Sequence, residues 1–550
     1  MDPNATALDL AERYWEAVLE LEPVLATSIG DDRYDDRLPD PSETGRGAAE
    51  TVHRGAKAEL AALDGAALGP VERTTLDVVD AIAGRAIAGL EHRTDRLIVA
   101  NQMAGPAVLP GELATLQRAD SPDRLERYER RLRAVPTLLE AYADIAREGV
   151  ADGVVASRVV AERAVGMLDR LMDTAPEDAP FVQPAGDDAE ARERLAAVTR
   201  DVVLPAYARY REELRAYLPH TTETIALTAL PGGDGIYEAE IRSWTTLSMP
   251  AQDIHDLGRE RFEAIQAERF EIAGSLGFDD PNTAIADRTA RGDNTPVSAE
   301  ALMALAEDQV RRSWEAAPAF FGVMPSANCV VQRVPAFMED DAPGAYYYPP
   351  TEDGSRPGTY FINCSSLESR PLHQVASITY HEANPGHHFQ VAVEQGLSDL
   401  PRIRRFGGIL AGSAYVEGWG LYSERLADEM GLFLDDWERL GMLDAQAWRA
   451  GRLITDTGIH VLGWDRQRAV DTLIAGGVNP VDAGIETDRY IAIPGQALSY
   501  MLGMIEIQRA REATAAREGG GFSLSGFHDR ILTLGQLPLP ALRRELGSGP

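Results

Sequence analysis

The chain has 550 residues, with 53 basic and 87 acidic side chains and a formal net charge of −34. A surface that negative repels phosphate backbones and anionic membranes, so neither nucleic acid nor a membrane is an expected partner. Two cysteines among 550 residues cannot staple a fold, and their scarcity fits a reducing compartment. The start, Met1-Asp2-Pro3-Asn4, lacks the basic and apolar regions of a secretory signal. No run of about 18 apolar residues is present either. The expectation is a cytoplasmic protein large enough to bury a sizeable core.

The first two thirds read as successive amphipathic helices. Thr6 to Ala26 carries Leu8, Leu10, Tyr14, Val18, Leu19 and Leu21 at mostly helical spacing, interrupted at Pro23. Leu125 to Arg147, Asp187 to Leu218 and Pro250 to Leu276 repeat the pattern, and Pro205 predicts a kink in the second of these. Pro231-Gly232-Gly233 and Pro281-Asn282 separate the segments. No fixed-period repeat and no low-complexity linker divides the chain. The expectation is one large, mainly α body with two lobes, approximately residues 1–245 and 246–550.

Near residue 328 the pattern changes. Asn328 to Val334, Tyr346 to Pro350 and Gly358 to Asn363 predict two or three strands of a small sheet, with a turn at Glu352-Asp353-Gly354. A helix from Leu372 to Asn384 follows and ends at Pro385-Gly386. A free strand edge near Gly358 to Asn363 would hold an extended peptide by main-chain hydrogen bonds, which makes Tyr360 and Asn363 candidate substrate contacts.

Half of the ten histidines fall between His373 and His460. At the centre stands His381-Glu382-Ala383-Asn384-Pro385-Gly386-His387-His388. A zincin helix carries His-Glu-x-x-His, two imidazoles one turn apart with the Glu beside the metal's water. Pro385 rules out that spacing. The second ligand would come from His387 or His388, and seven residues of unbroken helix span about 10 Å, too far for one ion. A backbone break at Pro-Gly would bring the next turn back over the first. His387 needs the smaller insertion. The bland alternative is a polar helix face followed by a helix cap.

Three downstream segments add weight. In Tyr415-Val416-Glu417-Gly418-Trp419-Gly420-Leu421-Tyr422-Ser423-Glu424, the two acids lie on one helix face, two turns apart. Glu417 is a candidate third ligand and Glu424 a candidate partner of a ligand histidine. Asp456 and His460 stand four apart, a spacing at which the acid can fix the imidazole's tautomer. That histidine would then face the oxyanion or the substrate, or simply complete a structural pair. Arg489-Tyr490-Ile491-Ala492-Ile493-Pro494-Gly495 leads into a helix. Its first amides, with Tyr490 or Tyr500, could face developing negative charge, and Arg489 could hold a carboxylate. Tyrosines on helices more often serve the core. No Gly-x-Gly-x-x-Gly, Walker-type loop or Gly-x-Ser-x-Gly elbow supports nucleotide binding or serine hydrolysis.

His-Glu-Ala-x-Pro-Gly-His-His, Glu-Gly-Trp-Gly-Leu-Tyr-Ser-Glu and Pro-Gly-Gln-Ala-Leu-Ser-Tyr together resemble a bacterial family catalogued as a domain of unknown function. That family is similar to the gluzincin metallopeptidases: in fold to the thermostable zinc carboxypeptidases, more distantly to thimet oligopeptidase (neurolysin-like) and angiotensin-converting enzyme. Pro23, Ala26, Gly30 and Tyr34 to Asp40 look like its N-terminal signature. Trp244-Thr245-Thr246 and His255-x-x-Gly258 look like its middle one.

The resemblance implies a two-lobed helical gluzincin with a small sheet beside the active-site helix. It implies one zinc ion on His381, on His387 or His388, and on Glu417, with Glu382 as general base and Glu424 behind. Tyr500-Met501-Leu502-Gly503 looks like the substrate-side tyrosine segment of the carboxypeptidases. The proven peptidases have the uninterrupted His-Glu-x-x-His, from which this chain departs. The family label states no substrate; the leading expectation is zinc-dependent hydrolysis of short peptides. Two alternatives stay open: a metal-dependent hydrolase of another amide or ester, and a non-catalytic binding protein with a degenerate site.

Overall fold

A computed structural model describes residues 2–335, 339 and 343–548. The chain is mainly α-helical, with one three-stranded sheet. By their contacts the residues form two units. The first comprises 1–64, 83–239 and 488–494, and the second comprises 65–82, 240–487 and 495–550. The simple cut at residue 245 therefore misses two exchanges: 65–82 belongs with the second unit and 488–494 with the first.

The first unit is built on the helix Pro122–Asp152, which Ser121 caps by accepting from the Arg124 amide. Tyr128, Leu132, Leu139, Leu168, Phe181, Leu195, Tyr207 and Tyr210 fill one core around it. Pro23 ends the first helix, Pro3–Leu21, and opens Pro23–Ser28. The kink predicted at Pro205 is a π-turn, Thr199–Val203, between Ala189–Val198 and Leu204–Tyr217, with the proline in the first turn where its missing N–H costs nothing.

Arg131 is fully buried in this unit, and its guanidinium donates to the carbonyls of Pro23 (3.3 Å), Tyr34 (2.8 Å) and Arg37 (2.8 Å) and to Gln117 Oε1 (2.5 Å). Asp35, 3.9 Å from it, accepts from Thr27 Oγ1 at 2.6 Å and Gln117 Nε2 at 3.3 Å. This network accounts for much of the 23–40 signature: those residues supply acceptors to one buried cation.

In the second unit the sheet order is β1 (Val330–Arg333), β3 (Thr359–Ile362), β2 (Ala345–Tyr348). β1 runs parallel to β3, with Val331 opposite Tyr360, and β2 antiparallel, with Tyr347 opposite Tyr360. The free edge expected near 358–363 is therefore taken. β3 is the central strand and all four of its residues are buried. Tyr360 and Ile362 pack with Leu302, Val310, Val375 and Ala383. The predicted turn closes where Gly354 N–H donates to Thr351 O, with Gly354 at φ 69°.

Beyond the sheet, the helix Leu372–Glu382 packs against the long helix Asp436–His460, whose Gly441 lies against the His373 carbonyl. His373 Nε2 meets Asp444 Oδ2 at 3.0 Å, and Arg269 donates to Asp444 Oδ1 at 2.8 Å. These charges are buried and paired, which fixes three helices in register. His255 meets Thr457 Oγ1 at 2.9 Å, and Gly258 lets its helix, Ala251–Ser275, close on Leu453 and Ile454. The Trp244 carbonyl accepts from Ser413 N at 3.0 Å and Ser499 Oγ at 3.2 Å. It thereby ties together the starts of Ala414–Glu429 and Ser499–Glu518. Both parts of the middle signature are thus helix joints.

Candidate metal centre

Three elements carry the site. Leu372–Glu382 ends one residue after His381, residues 383–386 change direction, and His387 begins a new helix, His387–Gln395. The break is thus a stop and a restart, not a bulge inside one helix. It turns the imidazoles of His381 and His387 edge to face, with ring centroids 4.6 Å apart. Trp419 Nε1 donates to the Pro385 carbonyl at 2.9 Å and holds the reversal against the third helix, Ala414–Glu429.

That helix brings Glu417. Its Oε2 lies 3.7 Å from His381 Nε2 and 3.5 Å from His387 Nε2. One donor atom from each of His381, His387 and Glu417 lies within 4.8 Å of the other two, the one such group among the described residues. Side-chain exposures of 4%, 12% and 16% place the three largely out of water.

Gly420, one turn along the helix, is part of the cradle. A Cβ there would stand 2.8 Å from His381 Cε1 and 2.9 Å from His387 Cε1. Gly418 and Gly503 bring the Glu417 helix into backbone contact with Ser499–Glu518. Tyr500 on that helix stacks its ring 6.2 Å from the His381 ring.

The hydrogen bonds set the tautomer. Glu424 Oε1 lies 2.8 Å from His381 Nδ1. A carboxylate can only accept there, so Nδ1 keeps its proton, and Nε2, which faces Glu417, is the nitrogen that gives up its proton when the imidazole becomes neutral. Glu424 Oε2 accepts from Ser377 Oγ at 2.9 Å and Gln446 Nε2 at 3.4 Å. Such a carboxylate–histidine pair is how proteins orient a metal-binding imidazole. Burial pulls His381 down, but Glu417 and Glu424 outweigh it and lift the imidazole to about 9. Burial likewise opposes a charged Glu417, and the two imidazoles outweigh it and hold the carboxyl well below its usual range.

Glu417 Oε2 and His387 Nδ1 are buried without a hydrogen-bond partner among the described residues. A buried carboxylate oxygen with no donor is costly inside a fold. Two imidazole nitrogens and a carboxylate are the donor set of a zinc site with open positions. The residues present fit one divalent cation.

His388 goes elsewhere. Its Nε2 donates to the Ala327 carbonyl at 2.9 Å and its Nδ1 accepts from the Tyr347 hydroxyl at 3.0 Å. Both nitrogens are committed, so it braces the sheet and offers no lone pair. Glu382 is partly exposed and makes no side-chain hydrogen bond to a described residue. Its charge reaches Cys329, whose thiol burial first, and then Glu382, pushes up to about 12.

The remaining candidates scatter. Tyr360 is buried, with its hydroxyl 3.4 Å from Thr379 Oγ1. Asn363 is buried and organises a turn, donating to the Glu339 carbonyl at 2.8 Å and accepting from Ser365. Asp456 accepts the Gly495 amide at 3.1 Å, so the first amide of that expected anion-facing turn is committed within the fold. His460 is buried at the end of Asp436–His460 and is not one of the three converging donors. Tyr490 is buried, and both it and Arg489 fall in the first unit.

Sequence reasoning missed Ser377, Gly420 and Gln446. The first two were within reach, since Ser377 lies one turn before His381 and Gly420 one turn after Glu417. Gln446 comes from a helix whose packing no local spacing announces.

A family model described as a bacterial protein of unknown function (DUF885) matches residues 23–546. The chain belongs to this family. The crystal structure of a "putative lipoprotein" from Colwellia psychrerythraea superposes with a TM-score of 0.92 at 25% identity, covering 100% of this chain and 99% of that one. A "putative lipoprotein of unknown function" from Shewanella oneidensis superposes with a TM-score of 0.72 at 19% identity, covering 97% and 98%. No curated protein matches. No described helix of this DUF885 member is long and apolar enough to cross a membrane.

Proposed function

We propose that this DUF885 member is a zinc-dependent peptidase of gluzincin type that hydrolyses short peptides. One observation carries the reading: one donor atom each of His381, His387 and Glu417 lies within 4.8 Å of the other two in a buried setting, and Glu424 fixes the tautomer that leaves the neutral His381 Nε2 facing inward. His381, His387 and Glu417 would hold the ion. When bound, such an ion polarises a carbonyl and lowers the pKa of water towards about 7.

The chain's own residues supply the rest. Glu382, next to His381 and without a side-chain hydrogen bond to any described residue, takes a proton from the attacking water and passes it to the leaving amine. Ser377 and Gln446 hold Glu424, which keeps the proton on His381 Nδ1. Tyr500 lines the His381 face on the side towards Arg452, whose Cζ lies 4.2 Å from the tyrosine ring.

The test exchanges Glu382 for Gln and reads zinc content and peptide turnover together. Zinc retained with turnover lost by several orders of magnitude is the expected result. Zinc retained with turnover unchanged removes Glu382 from its role. A peptide-library digest read by mass spectrometry that shows no cleavage by the zinc-loaded wild type rejects peptides as substrates.

A further inference from the structure

We propose that Arg449 anchors the C-terminal carboxylate of the substrate, so that the enzyme acts near free peptide ends. The catalytic half of this rests on the metallopeptidase reading, and the binding half does not.

Arg449 lies on Asp436–His460 and is 8% exposed. Among the described residues no carboxylate comes within 4.0 Å of its guanidinium. Its one hydrogen bond is a long one, Nη1 to the Ala445 carbonyl at 3.5 Å. Nε is buried without an acceptor, and Nη2 has no protein acceptor among the described residues.

The other deeply buried arginines of this molecule differ. Arg131 is saturated by carbonyls, Arg269 pairs with Asp444, Arg404 has no carboxylate but donates to Thr74 Oγ1 and the Leu534 carbonyl, and Arg452, one turn further along the same helix, pairs with Glu486 at 2.9 Å. An unpaired buried guanidinium is expensive, and its planar fork matches a carboxylate in two parallel hydrogen bonds.

Position completes the case. Arg449 Cζ lies 4.6 Å from the Trp448 ring and 5.9 Å from the Tyr500 ring. The Tyr500 ring in turn lies 6.2 Å from the His381 ring. One residue of extended chain spans about 3.5 Å. A carboxylate on Arg449 therefore sets the bond over the His381 site a few residues before the chain end. The rival role is a plain counter-charge for Glu424, whose ionised form Arg449 favours.

The test uses the full chain freed of metal by chelation and titrates it by calorimetry with an N-acetylated tripeptide. The tripeptide is supplied as the free acid, as the amide, and as an amide with an internal Asp. The free acid is expected to bind about tenfold or more tighter than either amide, the worth of one charge-assisted pair. Arg449→Gln abolishes that preference and Arg449→Lys keeps part of it. With zinc restored, KM for the free acid rises in Arg449→Gln while zinc content stays the same.

Equal binding of acid and amide by the wild type overturns the proposal. So does a preference that survives Arg449→Gln, or loss of zinc in that variant with the preference intact, which makes Arg449 a counter-charge. An Asp-containing amide that binds like the free acid overturns the terminal assignment. Should Arg449→Gln fail to fold, Arg449→Lys with an undiminished preference and unchanged KM overturns it instead. Because the calorimetry needs no zinc, its outcome is independent of whether Glu382→Gln supports the peptidase reading.

Discussion

Arg131 in the first unit and the His381–His387–Glu417 group in the second are both charges taken out of water, and they are treated in opposite ways. Arg131 finds four oxygens inside the fold, so its nitrogens all have acceptors and nothing from outside is needed. Glu417 Oε2 and His387 Nδ1 are equally enclosed but meet no hydrogen-bond partner among the described residues. Glu394 shows a third solution. Its carboxyl accepts the Gln536 amide at 2.8 Å and Gln390 Nε2 at 2.6 Å, yet burial still pushes it up to about 7, so it can shed its charge. A buried charge thus completes itself, neutralises itself, or stays incomplete for a ligand.

The largest effect that would break this contrast concerns Arg131. Arg131→Ala strips donors from three carbonyls, that of Pro23 buried and those of Tyr34 and Arg37 partly so, and leaves Asp35 without its cation. It should cost about 3–5 kcal/mol, read from the urea midpoint, with zinc affinity unchanged. A variant as stable as wild type would mean that the network is ornamental.

Gly420→Ala probes the other side. The new Cβ must push both imidazoles, while alanine improves the helix itself. Zinc affinity should fall about 10–100-fold, the range seen when a ligand's support is disturbed, without loss of helicity by circular dichroism. Unchanged affinity would place the ion elsewhere.

His388→Ala sharpens the distinction between adjacent histidines. It should retain zinc and lose about 1–3 kcal/mol, because the Ala327 carbonyl and Tyr347 hydroxyl lose their partner. Loss of zinc with no loss of stability would reverse the assignments of His387 and His388.

The smallest effect is in pH. Glu394 has a folded pKa raised from 4.5 to about 7, so the folded state binds the proton more tightly. The stability this supplies is full below about pH 4.5 and is lost as pH rises through about 7. Between pH 6 and pH 8 the loss amounts to about 1 kcal/mol. Glu394→Gln should flatten the stability profile by that amount, and an unaltered profile would show that Glu394 does not titrate there.

Much of this site was legible in the linear chain. Glu417 and Glu424 share a helix face because seven residues make nearly two turns, and Pro385 forbids an unbroken helix past His381. Which imidazole returns was not legible, because His387 and His388 both follow the break and only the packing of the sheet pulls His388 away. The strand edge failed for a related reason. A four-residue apolar strand reads alike at an edge or at the centre, and β1, from thirty residues earlier, had to be placed before β3 was known to be flanked on both sides.

By itself the sequence determined the helical periodicity, the proline break and the register of the two glutamates, all of which follow from backbone geometry within a few turns. Tertiary structure alone decided that, among the described residues, Glu417 Oε2 stands without a donor and Arg449 lacks the carboxylate partner Arg452 has, and that His388 is a brace. Those outcomes depend on which distant atoms arrive within about 3 Å, and short-range spacing carries no record of that.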